Sequence, residues 1–304
     1  MLSTILVTGA GGYLGSKFLK FLPRGVKIFA MLHKKKDVPL LSLPNIHYFI
    51  GDITDEKSYV QFIRKSKIIV HLAAIKGTQM CNENIGKTIM TNVYGTHLLI
   101  ENAIRYGVER FVFASTYWVY GDKKPPFRED VSIQPTEVYG MSKALSEKEI
   151  MSRLTNYLIL RFSNIYGPSR LTGEDDVVFH FIKKAWEGKD IILHNCGKHK
   201  LDFIYIDEVC QCLAKFVVSN HTGIFNIGYG KPTSIKKLSQ IISEVFKKKY
   251  KTQVKVVCCS STSNEFLDRW LDTKKARQTD FLVTDSLKKN ISRYVGYYIA
   301  QHKE

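Results

Sequence analysis

Residues 8–15 read TGAGGYLG, and this stretch decides the fold. It lies between the apolar run Ile5–Val7, which is typical of a buried strand, and the helix-like run Tyr13–Leu22. Glycines at a spacing of three residues allow a tight turn, the close approach of an anion to the backbone, and close packing of the helix on the strand. These glycines are Gly9, Gly12 and Gly15. A strand that ends in such a loop and continues as a helix predicts a site for the pyrophosphate of a dinucleotide.

The composition is that of an ordinary globular protein, with 304 residues of which 44% are hydrophobic and 24% are charged. No apolar run approaches the roughly 20 residues that a membrane span needs. The run Met1–Val7 lacks the basic region and the long apolar core of a signal peptide. The six cysteines form no C-x-x-C pair, which argues against a metal site and against a disulfide framework. We therefore expect a cytoplasmic protein without a metal, whose thiols are reduced and mostly packed.

The formal net charge of +17 has two interpretations. One is an anionic partner, such as a nucleotide substrate, a phosphorylated cofactor or a nucleic acid. The other is a set of lysines spread over solvated helix faces, and the short, distant runs Lys34–Lys36 and Lys247–Lys249 favour it. The charge by itself therefore does not predict nucleic-acid binding.

Apolar runs alternate with amphipathic, helix-like stretches through the first half of the chain. Alternation of this kind predicts an α/β fold of the Rossmann type, a doubly wound parallel sheet with helices on both faces. The runs expected to form strands are Ile5–Val7, Lys27–Leu32, Ile46–Ile50, Ile68–Leu72, Arg110–Ala114 and Tyr157–Phe162. Ligands of such sheets bind at the carboxyl ends of the strands, so site residues are expected there.

The second half has a looser pattern, which predicts a smaller, mixed α/β domain. Helices are expected at Val177–Glu187, near Asp207–Val218, at Ile235–Phe246 and at Ser286–Ala300, and strands at Asp202–Ile206 and Ile224–Ile227. We assign residues 1–165, with an interleaved segment at about 202–228, to a dinucleotide-binding domain. Residues 166–304 would form mainly a substrate-binding domain, with the ligand in the crevice between the two parts.

The segment after the second strand indicates which dinucleotide binds. An NAD-binding loop usually has an Asp or Glu there, about 20 residues past the glycines, which accepts a hydrogen bond from the ribose 2′-OH. Here residues 32–36 read LHKKK, with no carboxylate before Asp37. Because His33 and Lys34 would attract a 2′-phosphate, the charges favour NADP over NAD, although a solvated basic loop would have the same sequence.

A second candidate contact with the dinucleotide follows the third strand, where the chain reads Gly51-Asp52-Ile53. Asp52 would bind the edge of the adenine and Ile53 would cover its face. The same residues are also typical of a simple turn, and both interpretations stay open.

The candidate catalytic pair is Tyr139 and Lys143, which are four residues apart and share one face of an expected helix. An ammonium group so placed would lower the pKa of the phenol from about 10, so that the phenol passes a proton to or from a carbonyl oxygen. Ser115 and Thr116 end the fifth strand just upstream, and a hydroxyl there can converge with the phenol on one oxygen.

The same Tyr-x-x-x-Lys spacing recurs at two other places. Tyr13 and Lys17 lie in the phosphate loop, and Tyr120 and Lys124 lie in a turn that continues into two prolines. Neither setting offers a phenol from a helix face, so we interpret neither pair as catalytic.

Further motifs follow one another in a fixed order along the chain. They are TGAGGYLG at 8–15, GD at 51–52, HLAA at 71–74, NVYGT at 92–96, ST at 115–116, VYG at 119–121, YGMSK at 139–143, RFSNIYGP at 161–168, DFIYIDEV at 202–209 and FNIG at 225–228. The ordered set resembles an extended short-chain dehydrogenase/reductase of the NAD(P)-dependent nucleotide-sugar epimerase/dehydratase family. The similarity runs from about Ile5 to Asp272, and the set is far more specific than any single motif.

The resemblance implies roles for residues at matching positions. Tyr139 would be the acid/base, Lys143 would hold the nicotinamide ribose, and Thr116 would hydrogen-bond the reacting sugar oxygen. With the residues named above, the expected cofactor-binding set is Gly9, Gly12, Tyr13, Leu14, Gly15, His33, Lys34, Asp52, Ile53, Leu72, Ala73, Ala74, Lys76, Asn92, Tyr139 and Lys143. The expected substrate-binding set is Thr116, Tyr117, Trp118 and Asn164, the last of which would bind the diphosphate.

Two polar residues have structural alternatives. Asn92 would either support the cofactor or the catalytic helix, or be a satisfied buried amide. His71 is interpreted as a strand-end residue rather than a base, because nothing pairs it with a nucleophile.

Departures from the family pattern narrow the reaction. The 4,6-dehydratases carry an Asp-Glu pair directly after the catalytic Thr, and the branch that epimerises next to a ketone carries a Cys two places after it. Here these places hold Tyr117 and Trp118. Dehydration and that epimerisation therefore lack their acid and base, which leaves hydride transfer at one sugar carbon.

A further departure concerns the substrate phosphates. Leu201 stands where relatives usually have an Arg that grips them. The neighbouring Lys198, His199 or Lys200 would substitute for it, with a looser geometry.

The sequence thus predicts an NADP(H)-dependent reductase of a nucleotide-diphosphate 4-keto sugar, acting in carbohydrate biosynthesis. A 4-epimerase with tightly bound NAD is the alternative, because the same residues serve both reactions. A non-catalytic dinucleotide-sensing or RNA-binding protein is the alternative from another class, and the intact Tyr139, Lys143 and Thr116 argue against it. The resemblance also suggests a homodimer, formed through a bundle of the helices expected at Thr88–Arg105 and Glu137–Arg153.

Overall fold

The computed structural model describes residues 4–35, 43–169, 176–259, 267–279, 281 and 286–302. Lys36 and Asp37 of the basic segment lie outside these ranges. The strands are β1 (Thr4–Thr8), β2 (Lys27–Leu32), β3 (Ile46–Ile50), β4 (Ile68–His71), β5 (Arg110–Thr116), β6 (Tyr157–Phe162), β7 (Asn164–Tyr166), β8 (Ile191–His194), β9 (Lys200–Leu201), β10 (Phe203–Tyr205), β11 (Gly223–Ile227), β12 (Thr233–Ser234) and β13 (Val256–Cys259). The helices are α1 (Gly15–Phe18), α2 (Val60–Ile63), α3 (Thr78–Glu83), α4 (Ile85–Thr88), α5 (Gly95–Arg105), α6 (Val138–Arg153), α7 (Val177–Trp186), α8 (Ile206–Val218), α9 (Ile235–Tyr250), α10 (Lys274–Arg277) and α11 (Leu287–His302).

Seven strands form one sheet in the order β11-β6-β5-β4-β1-β2-β3. Neighbours from β6 to β3 pair in parallel, and Ile5 of β1, for example, lies opposite both Ile28 and Ile68. All four residues of β4 are buried, as is typical of a parallel sheet covered on both faces. The strand order is that of a doubly wound dinucleotide-binding sheet, so the predicted α/β class is confirmed.

Helices α5 and α6 pack on the sheet and place the candidate site at the end of β5. Leu99 and Ile100 of α5 and Ile150 of α6 belong to one apolar cluster with Leu6 and Phe111 of the strands. Burial of this apolar surface is the main force that holds the two helices in place. A π-helical turn, Ile89–Tyr94, joins α4 to α5.

The chain divides into two compact units, whose boundaries differ from the division expected from the sequence. The first unit comprises Met1–Lys123, Glu129–Phe162 and Cys210–Asn226, and the second comprises Lys124–Arg128, Ser163–Val209 and Ile227–Glu304. The interleaved segment therefore starts at residue 210 rather than at about 202. This boundary falls inside α8, where the continuous helical pattern gives no sign of it.

The second unit is built from short strand pairs and from helices that cover them. Strand β7 pairs in parallel with β10, β8 pairs in parallel with β13, and β9 pairs with β12 in antiparallel fashion. Val178 of α7, Leu238 of α9 and Ile291 of α11 meet in one apolar cluster. In the ranges that the structure describes, no helix has the length and apolarity that crossing a membrane requires.

Candidate active site

The glycine loop after β1 has no room for side chains at two of its positions. Gly9 has a φ of +68°, and a Cβ there would lie 2.6 Å from the backbone N of Ala73. A Cβ at Gly15 would collide with the carbonyl O of Gly9. At Gly12 a Cβ would meet, among the described atoms within 4 Å, that same carbonyl O at 3.1 Å. Gly9 therefore makes the turn, Gly15 lets the helix pack on it, and Gly12 leaves backbone exposed to a ligand.

The helix after this loop is shorter than the sequence pattern predicted. We expected it over Tyr13–Leu22, whereas α1 begins at Gly15 and gives way to a 3₁₀ turn over Leu19–Phe21. Leu22 is extended, with a ψ of 145°, because the following Pro23 disfavours a helical conformation there.

The segment after β4 lies against the glycine loop. The backbone N of Ala73 donates to the Thr8 hydroxyl at 3.3 Å. The Lys76 Nζ lies 5.2 Å from the centroid of the Tyr13 ring, within the range of a cation–π contact. The predicted cofactor residues Tyr13, Ala73 and Lys76 are thus brought together around the loop.

His71 is a buried link between strands, in agreement with its interpretation as a strand-end residue. Its Nδ1 lies 2.7 Å from the Thr8 hydroxyl, and its Nε2 lies 2.9 Å from the Thr96 hydroxyl. Burial, and the nearby Lys143, hold the pKa of His71 well below its usual value. The ring is therefore neutral at pH 7 and ties β1 to α5.

Asn92 is a satisfied buried amide that connects two parts of the site. From the π-helical turn, its Oδ1 accepts from the N–H of Ile75 at 2.8 Å and its Nδ2 donates to the carbonyl of Ile75 at 2.9 Å. The same Nδ2 lies 3.0 Å from the Ser142 hydroxyl on α6. Asn92 therefore orders the segment that carries Lys76 together with the helix that carries Lys143.

Asp52 and His33 approach each other at the ends of β3 and β2. The Nδ1 of His33 lies 3.8 Å from the Oδ2 of Asp52, and both side chains reach solvent. Asp52 also accepts from the N–H and the hydroxyl of Thr54, as in a simple turn. Burial opposes ionisation, but the Thr54 hydrogen bonds and His33 hold the pKa of Asp52 below its usual value. Ile53 is buried, and a Cβ on Gly95 would lie 2.7 Å from its Cγ1.

The end of β5 touches the start of α6. The Thr116 hydroxyl accepts from the N–H of Trp118 at 3.3 Å and caps the 3₁₀ turn that follows the strand. The rings of Tyr117 and Trp118 stack with centroids 5.4 Å apart. A Cβ on Gly140 would lie 2.7 Å from the carbonyl O of Trp118, so α6 begins in backbone contact with this turn. The predicted Thr116 and Tyr139 therefore lie on segments that meet.

Lys143 is buried, with 2% of its surface exposed. Its Nζ donates to the carbonyl O of Ala114 at 2.8 Å and lies 4.5 Å from the centroid of the Phe113 ring. Burial lowers the pKa of Lys143 to about 7, although Glu147 and Cys81 act in the opposite direction. At neutral pH the amine is therefore poised between its two protonation states.

Tyr139 differs from its sequence prediction. Burial raises the pKa of the Tyr139 phenol, and the nearby Cys81 and Tyr117 raise it further. The expectation that Lys143 would lower the pKa of this phenol is wrong for this structure, because desolvation by burial raises it. Lys143 also directs a hydrogen bond at the Ala114 carbonyl. At neutral pH the phenol is consequently a proton donor.

A buried ionic network adjoins this site, and the sequence analysis missed it. The Glu147 carboxylate accepts from the Ser115 hydroxyl at 2.5 Å and from Arg161 Nη2 at 2.7 Å. Arg161 Nη1 donates to the Tyr120 hydroxyl at 2.9 Å, which in turn lies 2.7 Å from Asn226 Oδ1. These contacts bury Tyr120 completely, in agreement with its interpretation as non-catalytic. The available signal was the four-residue spacing that continues from the Tyr-Lys pair to Glu147.

Asn164, predicted to bind the diphosphate, lies in the second unit. Its Nδ2 donates to the backbone carbonyl of Asp202 at 3.0 Å. The buried Asp202 carboxylate accepts from the N–H of Tyr229 at 2.9 Å and of Gly230 at 3.1 Å. Burial raises the pKa of Asp202 to about 7 in spite of these hydrogen bonds. Asp202 therefore clamps the loop after β11.

The candidates for the missing Arg at Leu201 differ in charge. Lys198 and Lys200 are exposed, whereas His199 is half-buried. Burial lowers the pKa of His199, although Asp268 acts against it. Cationic charge at neutral pH therefore comes from the two lysines rather than from His199.

The thiols are more varied than the sequence suggested. Cys81, Cys210 and Cys212 are buried, Cys196 and Cys259 are intermediate, and Cys258 is exposed. Within the described ranges, no group of three or more His, Cys, Asp or Glu side chains has an arrangement that could hold a metal ion.

Comparison with known proteins assigns the family. Residues 5–228 match the model of the NAD dependent epimerase/dehydratase family. Since the match covers most of the chain, the protein belongs to this family, and the resemblance drawn from its motifs is confirmed. It is an enzyme of the NAD-dependent nucleotide-sugar epimerase/dehydratase type.

Similar proteins have more than one activity. The chain is 27% identical to the UDP-glucuronate 4-epimerase of Thermodesulfobacterium geofontis, over 94% of each chain. It is 28% identical to the dTDP-4-dehydro-6-deoxyglucose reductase of Escherichia coli, over 81% of this chain and 82% of that protein. Its fold matches the solved UDP-N-acetylglucosamine 4-epimerase from Methanobrevibacter ruminantium M1 with a TM-score of 0.89, at 21% identity over 99% of each chain. At that identity the likeness concerns the fold.

Proposed function

We propose that this protein is a nucleotide-sugar 4-epimerase that retains NAD. The observation that carries the proposal is the Tyr139 phenol on a helix that meets the Thr116 turn, with aromatic Tyr117 and Trp118 where the Asp-Glu pair of a dehydratase would stand. Such a site can move a hydride and a proton at one carbon but has no group for elimination. The similarity to a UDP-glucuronate 4-epimerase supports the same reaction.

The position of His33 beside Asp52 weakens the case for NADP, which the sequence had favoured. From the sequence alone, His33 was expected to be available to a 2′-phosphate. In the structure this ring lies 3.8 Å from the Asp52 carboxylate, which would compete for His33 and would repel a phosphate. Lys34 remains as a basic neighbour of the site, so the electrostatic preference for NADP is weakened rather than reversed.

The glycine loop fits the pyrophosphate of a dinucleotide. A Cβ at Gly9 or Gly15 would collide with backbone, whereas Gly12 leaves the loop open. We propose that cofactor contacts come from Gly9, Gly12, Tyr13, Leu14, Gly15, His33, Lys34, Asp52, Ile53, Leu72, Ala73, Ala74, Lys76, Tyr139 and Lys143. Asn92 would act indirectly, because its amide is engaged by Ile75 and Ser142.

Three side chains would handle the sugar oxygen. Bound NAD would supply an acceptor for the hydride of sugar C4, from which the hydride could return to either face, and a positive charge that favours a phenolate. Tyr139 takes the proton from the C4 hydroxyl and later returns it, while the Thr116 hydroxyl holds that oxygen. Lys143, once protonated, stabilises the phenolate. Its pKa of about 7 places this change of charge in the physiological range.

The second unit would bind the nucleotide diphosphate. Lys198 and Lys200 are exposed and supply positive charge next to Leu201. Lysine binds phosphate as a point charge, without the bidentate geometry of arginine. We therefore propose that these lysines, with Asn164, hold the diphosphate in place of the family arginine.

A 4-keto-sugar reductase is the second candidate. It is supported by the neutral, protonated state of Tyr139, which suits donation of a proton to a carbonyl oxygen. The similarity to the E. coli reductase supports it as well. A reductase would exchange its nicotinamide cofactor at every turnover, whereas an epimerase would retain it.

Mass spectrometry of the purified, unheated protein separates the two candidates. We expect close to one NAD per chain, and interconversion of a UDP-hexose with its C4 epimer without added cofactor. The epimerase proposal fails if the protein carries no dinucleotide and instead consumes NADPH together with a nucleotide-diphosphate 4-keto sugar. Chemical reduction of the retained cofactor with borohydride should abolish epimerisation and so serves as a control.

We further propose that the protein forms a homodimer through α5, α6 and the π-helical turn. Large apolar side chains are exposed along these segments. They are Ile89, Met90, Tyr94, Ile104, Met141, Leu145 and Met151. An exposed apolar surface of this kind marks an interaction site.

Replacing Leu145, which is 50% exposed, tests the dimer. Leu145→Glu should convert a dimer to a monomer in light scattering, because a charge would be buried in the interface. Ile192→Glu is the matched control, because Ile192 is 46% exposed on β8 and lies outside the surface. A monomeric parent protein would contradict the proposal.

A further inference from the structure

Glu147 is the most completely satisfied ionic group next to the site. It is fully buried, and Arg161 beside it is 2% exposed. Its Oε1 accepts from the Ser115 hydroxyl and from Arg161 Nε at 3.1 Å, and its Oε2 accepts from Arg161 Nη2 at 2.7 Å. A buried carboxylate needs such partners, because ionisation without them would be strongly unfavourable.

The partners of Glu147 lie on the strands that end at the site. Ser115 and Arg161 are register neighbours in β5 and β6, and Thr116 directly follows Ser115. Glu147 itself lies one helical turn beyond Lys143 on α6. Lys143 bonds the Ala114 carbonyl, so successive turns of α6 hold successive residues of β5. The two contacts together fix the strand end relative to the helix.

We propose that Glu147 is a positioning residue, which fixes the end of β5 to α6 and keeps a negative charge beside the Lys143 ammonium. Its importance for turnover rests on the proposed function, whereas its effect on Lys143 does not. Removal of either the link or the charge should therefore have separate, measurable consequences.

The groups that face Lys143 show why this charge matters. From its own helix it faces Tyr139 and Glu147, from β4 it faces His71, and from α3 it faces Cys81. His71 and Tyr139 are neutral at pH 7, because burial depresses the pKa of the imidazole and raises that of the phenol. Among the described groups that face Lys143, Glu147 makes the largest contribution that opposes desolvation of the ammonium, and Cys81 makes a smaller one.

Two variants separate the charge from the link. Glu147→Gln removes the charge while keeping the size and an oxygen that accepts hydrogen bonds. Ser115→Ala removes the link to β5 while keeping the ion pair with Arg161. The pKa of Lys143 is read by NMR of protein with isotope-labelled lysine side chains, and the resonance is assigned with Lys143→Arg.

We expect Glu147→Gln to lower the pKa of Lys143 by at least about 0.5 unit, since a nearby opposite charge favours the charged form. The kcat at pH 7 should fall at least about twofold, because a smaller fraction of Lys143 is protonated. Ser115→Ala should leave the pKa of Lys143 unchanged and lower kcat several-fold with little change in KM. Glu149→Gln, two residues away on α6, where the carboxylate bonds His97 and Arg153, is the control and should not change the pKa of Lys143.

An unchanged pKa of Lys143 in Glu147→Gln overturns the charge role, and a parental kcat in Ser115→Ala overturns the positioning role. If Glu147→Gln does not fold, Ser115→Ala still decides the positioning role, because it leaves the ion pair intact. If the parent protein turns over no nucleotide sugar, the proposed function fails, while the titration of Lys143 continues to test Glu147.

Discussion

Lys143 and Asp202 are buried groups of opposite charge, and burial moves both of them toward neutrality at the same pH. Desolvation lowers the pKa of Lys143, in the first unit, to about 7. It raises the pKa of Asp202, in the second unit, to about 7 as well. A perturbed pKa by itself therefore reports burial rather than function.

Their partners distinguish the two groups. The Asp202 carboxylate accepts from the backbone N–H of Tyr229, Gly230 and Leu271, so its hydrogen bonds hold the chain in shape. The Lys143 ammonium donates a hydrogen bond to the Ala114 carbonyl and lies one helical turn from the Tyr139 phenol. We infer that the first group is a structural clamp and that the second takes part in chemistry.

Removal of the phenol has the largest expected effect. Tyr139→Phe should lower kcat by about 10³-fold or more, since it deletes the group that exchanges the proton. Steady-state kinetics measure the loss, and mass spectrometry should find the same retained dinucleotide as in the parent. Tyr106→Phe, which removes a hydroxyl that bonds Arg64 away from the site, is the matched control. Parental activity in Tyr139→Phe would refute the assignment of Tyr139 as the acid/base.

Asp202→Asn tests the clamp through the pH dependence of stability. The folded chain binds the Asp202 proton up to about pH 7, whereas the usual pKa of the group is 3.8. The stability that this proton contributes is full below pH 3.8 and is lost as the pH rises through 7. Relative to Asp202→Asn, the parent should lose up to about 4 kcal/mol of unfolding free energy between pH 4 and 7. Urea unfolding at several pH values measures the difference, and a flat profile would contradict it.

Lys143→Met should give the opposite slope. The unfolded chain holds the Lys143 proton up to its usual pKa of 10.5, whereas the folded chain releases it near 7. The stability of the parent relative to this variant should therefore rise by up to about 4 kcal/mol from pH 7 to 10. The same urea series measures this rise. Loss of the donor to the Ala114 carbonyl changes the absolute stability of the variant, but the dependence of the difference on pH still reports the titration of Lys143. If stability relative to the variant changed with pH in the same direction for Asp202 and for Lys143, burial would not explain both pKa values.

The sequence predicts the strands of the large sheet well, because residues buried on both faces form continuous apolar runs. Lys27–Leu32 and Tyr157–Phe162, each buried after its first residue, were expected with the bounds that the structure gives them, and so was the partly exposed edge strand Ile46–Ile50. Strands β8 and β13 were missed, since each has four residues and exposes alternate side chains. Short alternating segments of this kind are difficult to separate from loops.

The site was predictable as a set of residues but not in its electrostatics. The spacing of Tyr139 and Lys143 is visible in the sequence, since both lie on one helix. The direction in which the pKa of Tyr139 moves depends on what the fold packs around it, and we predicted it wrongly. The four-residue spacing places Glu147 on the helix face of Tyr139 and Lys143, but its partner Arg161 lies on a strand, and no local pattern indicates that partner.

The smallest effect on stability is expected at an exposed ion pair, which shows how charged groups behave when they are not buried. Lys67 Nζ lies 2.6 Å from Glu109 Oε1, and these side chains are 58% and 62% exposed. The buried pair of Arg161 and Glu147 has nearly the same separation, 2.7 Å. Water screens the exposed charges and solvates either one if its partner is removed, whereas a buried charge would be left without compensation.

Glu109→Gln should therefore change the free energy of unfolding by less than about 0.5 kcal/mol, and this small change should shrink further in 1 M salt. Urea unfolding at low and high ionic strength measures both quantities. A loss above about 1 kcal/mol that persisted in salt would mean that separation rather than burial sets the strength of these pairs. It would then also undermine the use of burial to explain why Lys143 and Asp202 titrate near pH 7.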